Sequence, residues 1–136
     1  MNLLDARRRV PRIAVDGFCS VATDDALHHA QLTNLSTLGL RIERPTPPAM
    51  QANVQLEIEL PGLDEVVWAS AVVTDIRISY LPGRRRDGRR PWTCQTGLRI
   101  AAISSSEQRL LRDYVVEQMR ARRRRGDERR REVRVT

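Results

Sequence analysis

Lysine is absent from this chain. All 24 of its basic residues are arginine, set against 17 Asp and Glu, for a formal charge of +7 and a pI near 11.0. Planar guanidinium forks pair bidentately with phosphate or guanine edges in a way a lysine ammonium does not. A GC-rich coding bias produces the same usage, so the absence alone selects no partner. Cysteine is almost as scarce: Cys19 and Cys94 stand far apart, each inside an alternating apolar run. That spacing indicates neither a disulfide framework nor a metal cluster, and a reducing cytoplasm is the expected compartment. The two histidines, His28 and His29, are adjacent and have no Cys or carboxylate at ligand spacing, so they read as surface residues. They are also the only bases that could activate a serine, so no enzyme is expected. Long apolar runs are missing as well. The longest, Val66 to Val73, is far too short to cross a bilayer, and Asp5 and the arginines interrupt the N-terminus directly after Leu3 and Leu4. A soluble chain without membrane insertion or a recognisable export signal is expected.

What is present is concentrated rather than spread. From Arg120 to Thr136 nine arginines face Asp127, Glu128 and Glu132, whereas the rest of the chain holds fifteen arginines against fourteen acids. The body is therefore nearly neutral, and overall basicity says little about it. Two further clusters stand in that body: Arg7, Arg8, Arg9 and Arg12 near the start, and Arg84, Arg85, Arg86, Arg89 and Arg90 between Pro and Gly residues. At 136 residues the chain has room for one core. The expected organisation is a leader at 1–6, one domain at 7–120 and an Arg-rich tail at 121–136, which lacks the apolar surface to offset ordering and is expected frayed or disordered.

Alternation governs the middle of the chain. Ile13, Val15, Gly17, Cys19 and Val21 make one mostly apolar face; Leu27 to Leu35 is a weaker strand; Gly39 to Glu43 sets Leu40 and Ile42 against Arg41 and Glu43. Val54 to Leu60 alternates without fault and stops at Pro61-Gly62. Val66 to Tyr80 is apolar on both faces for its first half, as in a central, well-covered strand, and Trp92 to Ile100 is the sixth run. Six strands with short turns predict a mainly β fold, a closed or nearly closed six-stranded antiparallel barrel. A C-terminal α-helix follows, opened by the capping-box pattern Ser104 to Glu107 and carrying Leu110, Leu111, Tyr114, Val115 and Met119 as an apolar stripe that would pack on the barrel or plug one end. Trp68 and Trp92 are expected in core or rim packing, and the two cysteines as small buried hydrophobes. No internal repeat is evident.

Two motifs carry chemistry. Arg8-Arg9-Val10-Pro11-Arg12 is an R-x-x-x-R, and after 21 intervening residues Asn34-Leu35-Ser36-Thr37-Leu38-Gly39 is an N-x-S-x-x-G. An arm ending at Pro11 can fold across the barrel and present its guanidinium forks. Asn34 both donates and accepts, Ser36 adds a hydroxyl, and Gly39 lets the backbone turn or lets a ligand approach. Together they would enclose an anionic, purine-bearing ligand. A solvated basic leader and an ordinary tight turn are the plain alternatives, as a solvated hairpin is for Arg84 to Arg90.

In both motifs, their order, and the strand starts Gly39-Leu40-Arg41-Ile42 and Gly97-Leu98-Arg99-Ile100, the chain resembles the PilZ domain family over about residues 6–120. Ile100 departs from it, standing where the family often has an aromatic. The resemblance implies a cytoplasmic bacterial receptor whose ligand, rather than a cofactor, is cyclic di-GMP. Arg8 and Arg12 would meet guanine edges and phosphates, and Asn34 and Ser36 a guanine and phosphate. Arg7, Arg9, Gly39 and Arg41 complete the expected ligand-binding set, and Arg7 points to two ligands per chain. A downstream effector protein would read the ordered arm. The alternative is a nucleic-acid- or protein-binding adaptor working through the tail and the Arg84 to Arg90 loop without nucleotide.

Overall fold

A computed structural model describes Val10 and residues 12–45, 48–84 and 86–135, with side chains as far as Arg129. The leader at 1–6 and Arg7, Arg8 and Arg9 lie outside the described residues, as does Arg85. Six strands and one helix follow in order: β1 (Ile13–Ala22), β2 (Leu27–Leu35), β3 (Gly39–Arg44), β4 (Asn53–Glu59), β5 (Val66–Tyr80), β6 (Trp92–Ile103) and α1 (Ser105–Val135). All pairings are antiparallel, and the strands close into a barrel in the order β1-β2-β3-β6-β5-β4. Closure leaves no sheet edge within the barrel itself. It also makes β3 and β6, distant in sequence, immediate neighbours.

The period-2 pattern reads directly as inside and outside. Val21, Leu32, Ile42, Leu56, Ile58, Val67 and Val73 are buried in the interior, and Cys19 and Cys94 are buried with them at 1% and 2% exposure. Burial, helped by the charge of Glu57, pushes the Cys19 thiol up to about 12. The core continues onto α1, where Leu111 and Val115 are fully covered and Tyr114 and Met119 partly so. Covering a leucine in this way contributes about 1.5–3 kcal/mol. Three polar ties add direction: the Tyr114 hydroxyl donates to the Pro61 carbonyl at 3.0 Å, the Trp68 amide donates to Glu107 at 2.9 Å, and Arg122 donates to the Ala14 carbonyl.

The expected capping box is half kept. The Glu107 amide donates to Ser104 Oγ, and that hydroxyl donates to one Glu107 oxygen, but the other oxygen is spent on β5 rather than on the Ser104 amide. The helix therefore starts anchored to the barrel. It also runs further than expected, with helical backbone to Val135 where the sequence predicts a frayed or disordered tail. The apolar stripe does end at Met119. Beyond it Ala, Arg and Glu are strong intrinsic helix formers, and Arg124 pairs with Glu117 at 3.1 Å, so propensity carries on where packing stops. A second difference concerns β5: its outer face is not covered, for Trp68 is 56% exposed, and Trp92 at the start of β6 is 45% exposed.

Candidate functional site

Antiparallel pairing of β3 with β6 sets two identical tetrapeptides against each other. Gly39 faces Arg99, Leu40 faces Leu98, and Arg41 faces Gly97. A local two-fold axis through the Leu40–Leu98 pair relates them, so on the outer face each arginine lies across from a glycine. Close approach requires glycine at 39 and favours it at 97. A Cβ on Gly39 would fall 2.4 Å from the Leu98 carbonyl oxygen, and one on Gly97 would fall 3.2 Å from Asp75 Cβ. Gly39 was expected to free a turn or admit a ligand; what it admits is the backbone of β6.

Two bulges aim the polar groups. In β2 an irregularity between Leu32 and Asn34 breaks the alternation, so that Asn34, of the same parity as inward Leu32, sits opposite outward Arg41. In β5 another between Val73 and Asp75 turns Asp75 outward beside Gly97, where strict alternation would have sent it into the core. Re-aiming one side chain is a common use of a bulge beside a binding site. It also explains why β2 alternates weakly in sequence.

These devices surround an open cavity of about 230 Å³. Arg12 at its mouth, Asn34 and Ser36 at the end of β2, Gly39 and Arg41 on β3, and Asp75, Gly97 and Arg99 across the seam all line it. Five of the eight expected site residues are thus brought together, and the other three, Arg7, Arg8 and Arg9, precede the described residues. Asp75 and Arg99 were not anticipated. The repeated Gly-Leu-Arg-Ile was the only signal for Arg99, and its meaning depends on a strand crossover that sequence order hides; the bulge that turns Asp75 outward leaves no mark in the sequence.

The side chains of the cavity differ in readiness. Ser36 is buried, its Oγ accepting from the amides of Leu38 and Gly39 at 3.2 and 3.1 Å and donating to the Gly39 carbonyl at 3.2 Å. The hydroxyl therefore holds the turn, whose Ser36 amide also reaches the Gly39 carbonyl at 2.8 Å. Arg41 reaches across Gly97 to Asp75 Oδ2 with both terminal nitrogens at 3.4 Å, and Arg77 holds the same oxygen at 3.1 Å. Asn34 Oδ1 is buried, and no donor meets it among the described residues. An unmet buried acceptor costs about 1–3 kcal/mol, which a ligand N–H would recover. Arg99 is exposed and has no acceptor among the described residues. His28 and His29 sit on β2 opposite Val21 and Ser20, where His29 shares a hydrogen bond with Ser20. Neither histidine is among the groups lining the cavity. Among the described residues no group of three or more His, Cys, Asp or Glu could hold a metal ion, and no helix is long and apolar enough to cross a membrane.

Solved structures share this architecture. The chain is similar to the PilZ domain of YcgR from Escherichia coli, solved with c-di-GMP, at 20% identity and a TM-score of 0.68, covering 89% of this chain and 98% of that one. It is similar to MrkH of K. pneumonia, solved as a c-di-GMP complex, at 16% identity and a TM-score of 0.73, covering 88% of this chain and 55% of that one. A third likeness is to the Bacillus subtilis inhibitor of motility MotI, at 16% identity and a TM-score of 0.66, covering 86% of this chain and 53% of that one. The chain thus spans about half the length of the latter two. No curated protein matches it. The family model that matches is that of the PilZ domain, over residues 6–117, most of the chain, and the protein belongs to the PilZ domain family.

Proposed function

We propose that the chain is a non-enzymatic receptor for cyclic di-GMP, bound in the cavity between the end of β2 and the β3–β6 seam. The observation that carries this reading is the convergence there of Arg12, Asn34, Arg41 and Arg99 around two glycines, with Asn34 Oδ1 unmet. A purine amide or amino N–H fits that acceptor, and guanidinium groups fit phosphate and the O6/N7 edge of guanine. Two of the similar structures contain this ligand. At 230 Å³ the cavity falls below the about 300–1,000 Å³ usual for small-molecule sites, as suits a site that a further segment completes. Arg7, Arg8 and Arg9 supply that segment, ordering over the ligand and presenting a changed surface to a downstream protein. One bidentate Arg–guanine contact is worth about 1–3 kcal/mol, whereas micromolar affinity needs about 8 kcal/mol. Arm, turn and seam must therefore act together.

Calorimetry on the wild type and on Arg8→Ala with Arg12→Ala tests the reading and counts the ligands. Binding is expected in the wild type, with two ligands per chain, and about tenfold or greater weakening is expected in the variant. A wild type that does not bind would sink it.

The rival reading, an adaptor for nucleic acid, rests on the C-terminal half of α1, where Arg123, Arg124, Arg125 and Arg129 are exposed. It requires affinity for nucleic acid that falls steeply with salt and vanishes on truncation after Arg120.

A further inference from the structure

Six of the ten exposed large hydrophobic side chains among the described residues fall in two patches of opposite charge. The first is the outer face of β1, β4 and β5. Strand register sets Phe18, Glu59 and Val66 in one row across it and Ser20, Glu57 and Trp68 in the next. Phe18 is 68% exposed. Asp16, Asp64 and Glu65 border the row, and none of these five carboxylates forms an ion pair among the described residues. Arg109 of α1 stands at one edge.

The second patch is a two-stranded ribbon. β4 pairs with β5 only as far as Val72, and β3 pairs with β6 only as far as Cys94, yet β5 and β6 stay paired to Tyr80 and Trp92. Past the barrel's rim the inward-facing row of these strands is covered at Cys94 but, among the described residues, leaves its further side chains uncovered. Ile78, Tyr80 and Trp92 continue the row that holds buried Thr96 and Leu98, and with Leu81 they are open to solvent. Around them Arg84, Arg86, Arg89 and Arg90 are exposed, with Asp87 the one acid. Isolated exposed apolar residues are ordinary, but a cluster ringed by one sign of charge marks a contact surface.

The two patches cannot meet within one molecule. Trp68 and Tyr80 are about 40 Å apart along β5 and lie on opposite faces of it. We propose that they meet between molecules: the ribbon of one copy docks on the acidic, aromatic face of a second, its arginines among the carboxylates and its apolar row against Phe18 and Trp68. Charge selects this pairing over ribbon to ribbon, where arginines would oppose arginines. Tyr80 already carries Arg90 over its ring at 4.6 Å, which leaves that face closed to a nucleic-acid base. Such a contact is heterologous, so it builds an open chain or a closed ring.

Sedimentation velocity on the full chain tests this in three arms. Wild type is expected to associate with rising concentration at low salt and to dissociate at high salt. Tyr80→Ser with Trp92→Ser, which removes the ribbon's apolar row, and Glu57→Lys with Glu59→Lys, which reverses the face, are each expected to be monomeric. Mixed one to one, they still offer one intact ribbon and one intact face, so association is expected to return, and its return shows both variants folded. Wild type that stays monomeric, a variant that associates as wild type does, a mixture that stays monomeric, or association that needs an added single-stranded oligonucleotide would each overturn the proposal.

Discussion

The residues 39–42 and 97–100 are the same four amino acids, paired across one seam, and they do different work. Arg41 crosses to Asp75 and is fixed, whereas Arg99 meets no acceptor among the described residues. Gly39 lies under the Leu98 carbonyl, whereas the space over Gly97 is bounded by Asp75 Cβ and by Arg41 itself. Their flanking strands separate the halves: the bulge in β5 brings the Asp75 carboxylate to the Gly97 side, whereas the Gly39 side meets the Ser36 hydroxyl at the end of β2. Identical local sequence thus supplies two guanidinium groups, and tertiary context decides that one is preorganised and the other available.

The largest effect should come from breaking the seam. Gly39→Ala places a methyl against a backbone oxygen that cannot rotate away, and a loss of about 3 kcal/mol is expected. Gly97→Ala asks Asp75 to yield by tenths of an ångström, for about 1 kcal/mol. Denaturant midpoints at unchanged slope report both, and equal costs would show that the two glycines are equivalent after all.

How much of this was legible in the sequence follows from what alternation can and cannot encode. It located five of the strands, β2 to the residue, because each side chain's face is fixed by parity wherever one side is buried, and a continuous apolar run located β5. The motif pattern, with the resemblance, put forward Arg12, Asn34, Ser36, Gly39 and Arg41, which line one cavity. It missed Asp75, because a bulge resets parity without a sequence mark, and Arg99, because β6 becomes the neighbour of β3 only on closure. Trp68 and Trp92 read as core or rim for a related reason: an apolar residue on a strand shows that a face exists, not that anything covers it. Past Met119 the sequence left a frayed helix or a disordered tail open, because composition without an apolar stripe does not choose between them; helix propensity needs no stripe, and the backbone there is helical.

Ligand affinity sharpens the comparison next. Arg41→Ala removes a guanidinium already held in place and is expected to cost about a hundredfold in cyclic di-GMP affinity, while Arg99→Ala, which must be ordered on binding, costs about tenfold. Asp75→Ala should weaken binding less than Arg41→Ala does and be non-additive with it, yet additive with Arg99→Ala. Calorimetric double-mutant cycles read this directly, and equal coupling of Asp75 to both arginines would erase the distinction.

A last expected effect lies away from the seam and serves as its control. Cys19 is neutral in the fold up to about 12, while the unfolded thiol ionises near 9.0. Its stabilisation is therefore whole below the unfolded value and is lost as pH rises through the window between the two. About 1.4 kcal/mol should go by one unit above the unfolded value. Comparing unfolding of the wild type with Cys19→Ala across that window should show a steeper slope in the wild type than in the variant, which keeps the contribution of Tyr114, whose hydroxyl burial also pushes up.

The most direct measurement is an amide NMR titration of the full chain with cyclic di-GMP. Shifts are expected at Asn34 to Arg41, Asp75 and Gly97 to Arg99, at both copies of the tetrapeptide, with Phe18, Glu57, Glu59 and the Arg84 to Arg90 loop unmoved. Shifts confined to that loop or to α1, or no shifts at all, would contradict placement of the ligand at the seam.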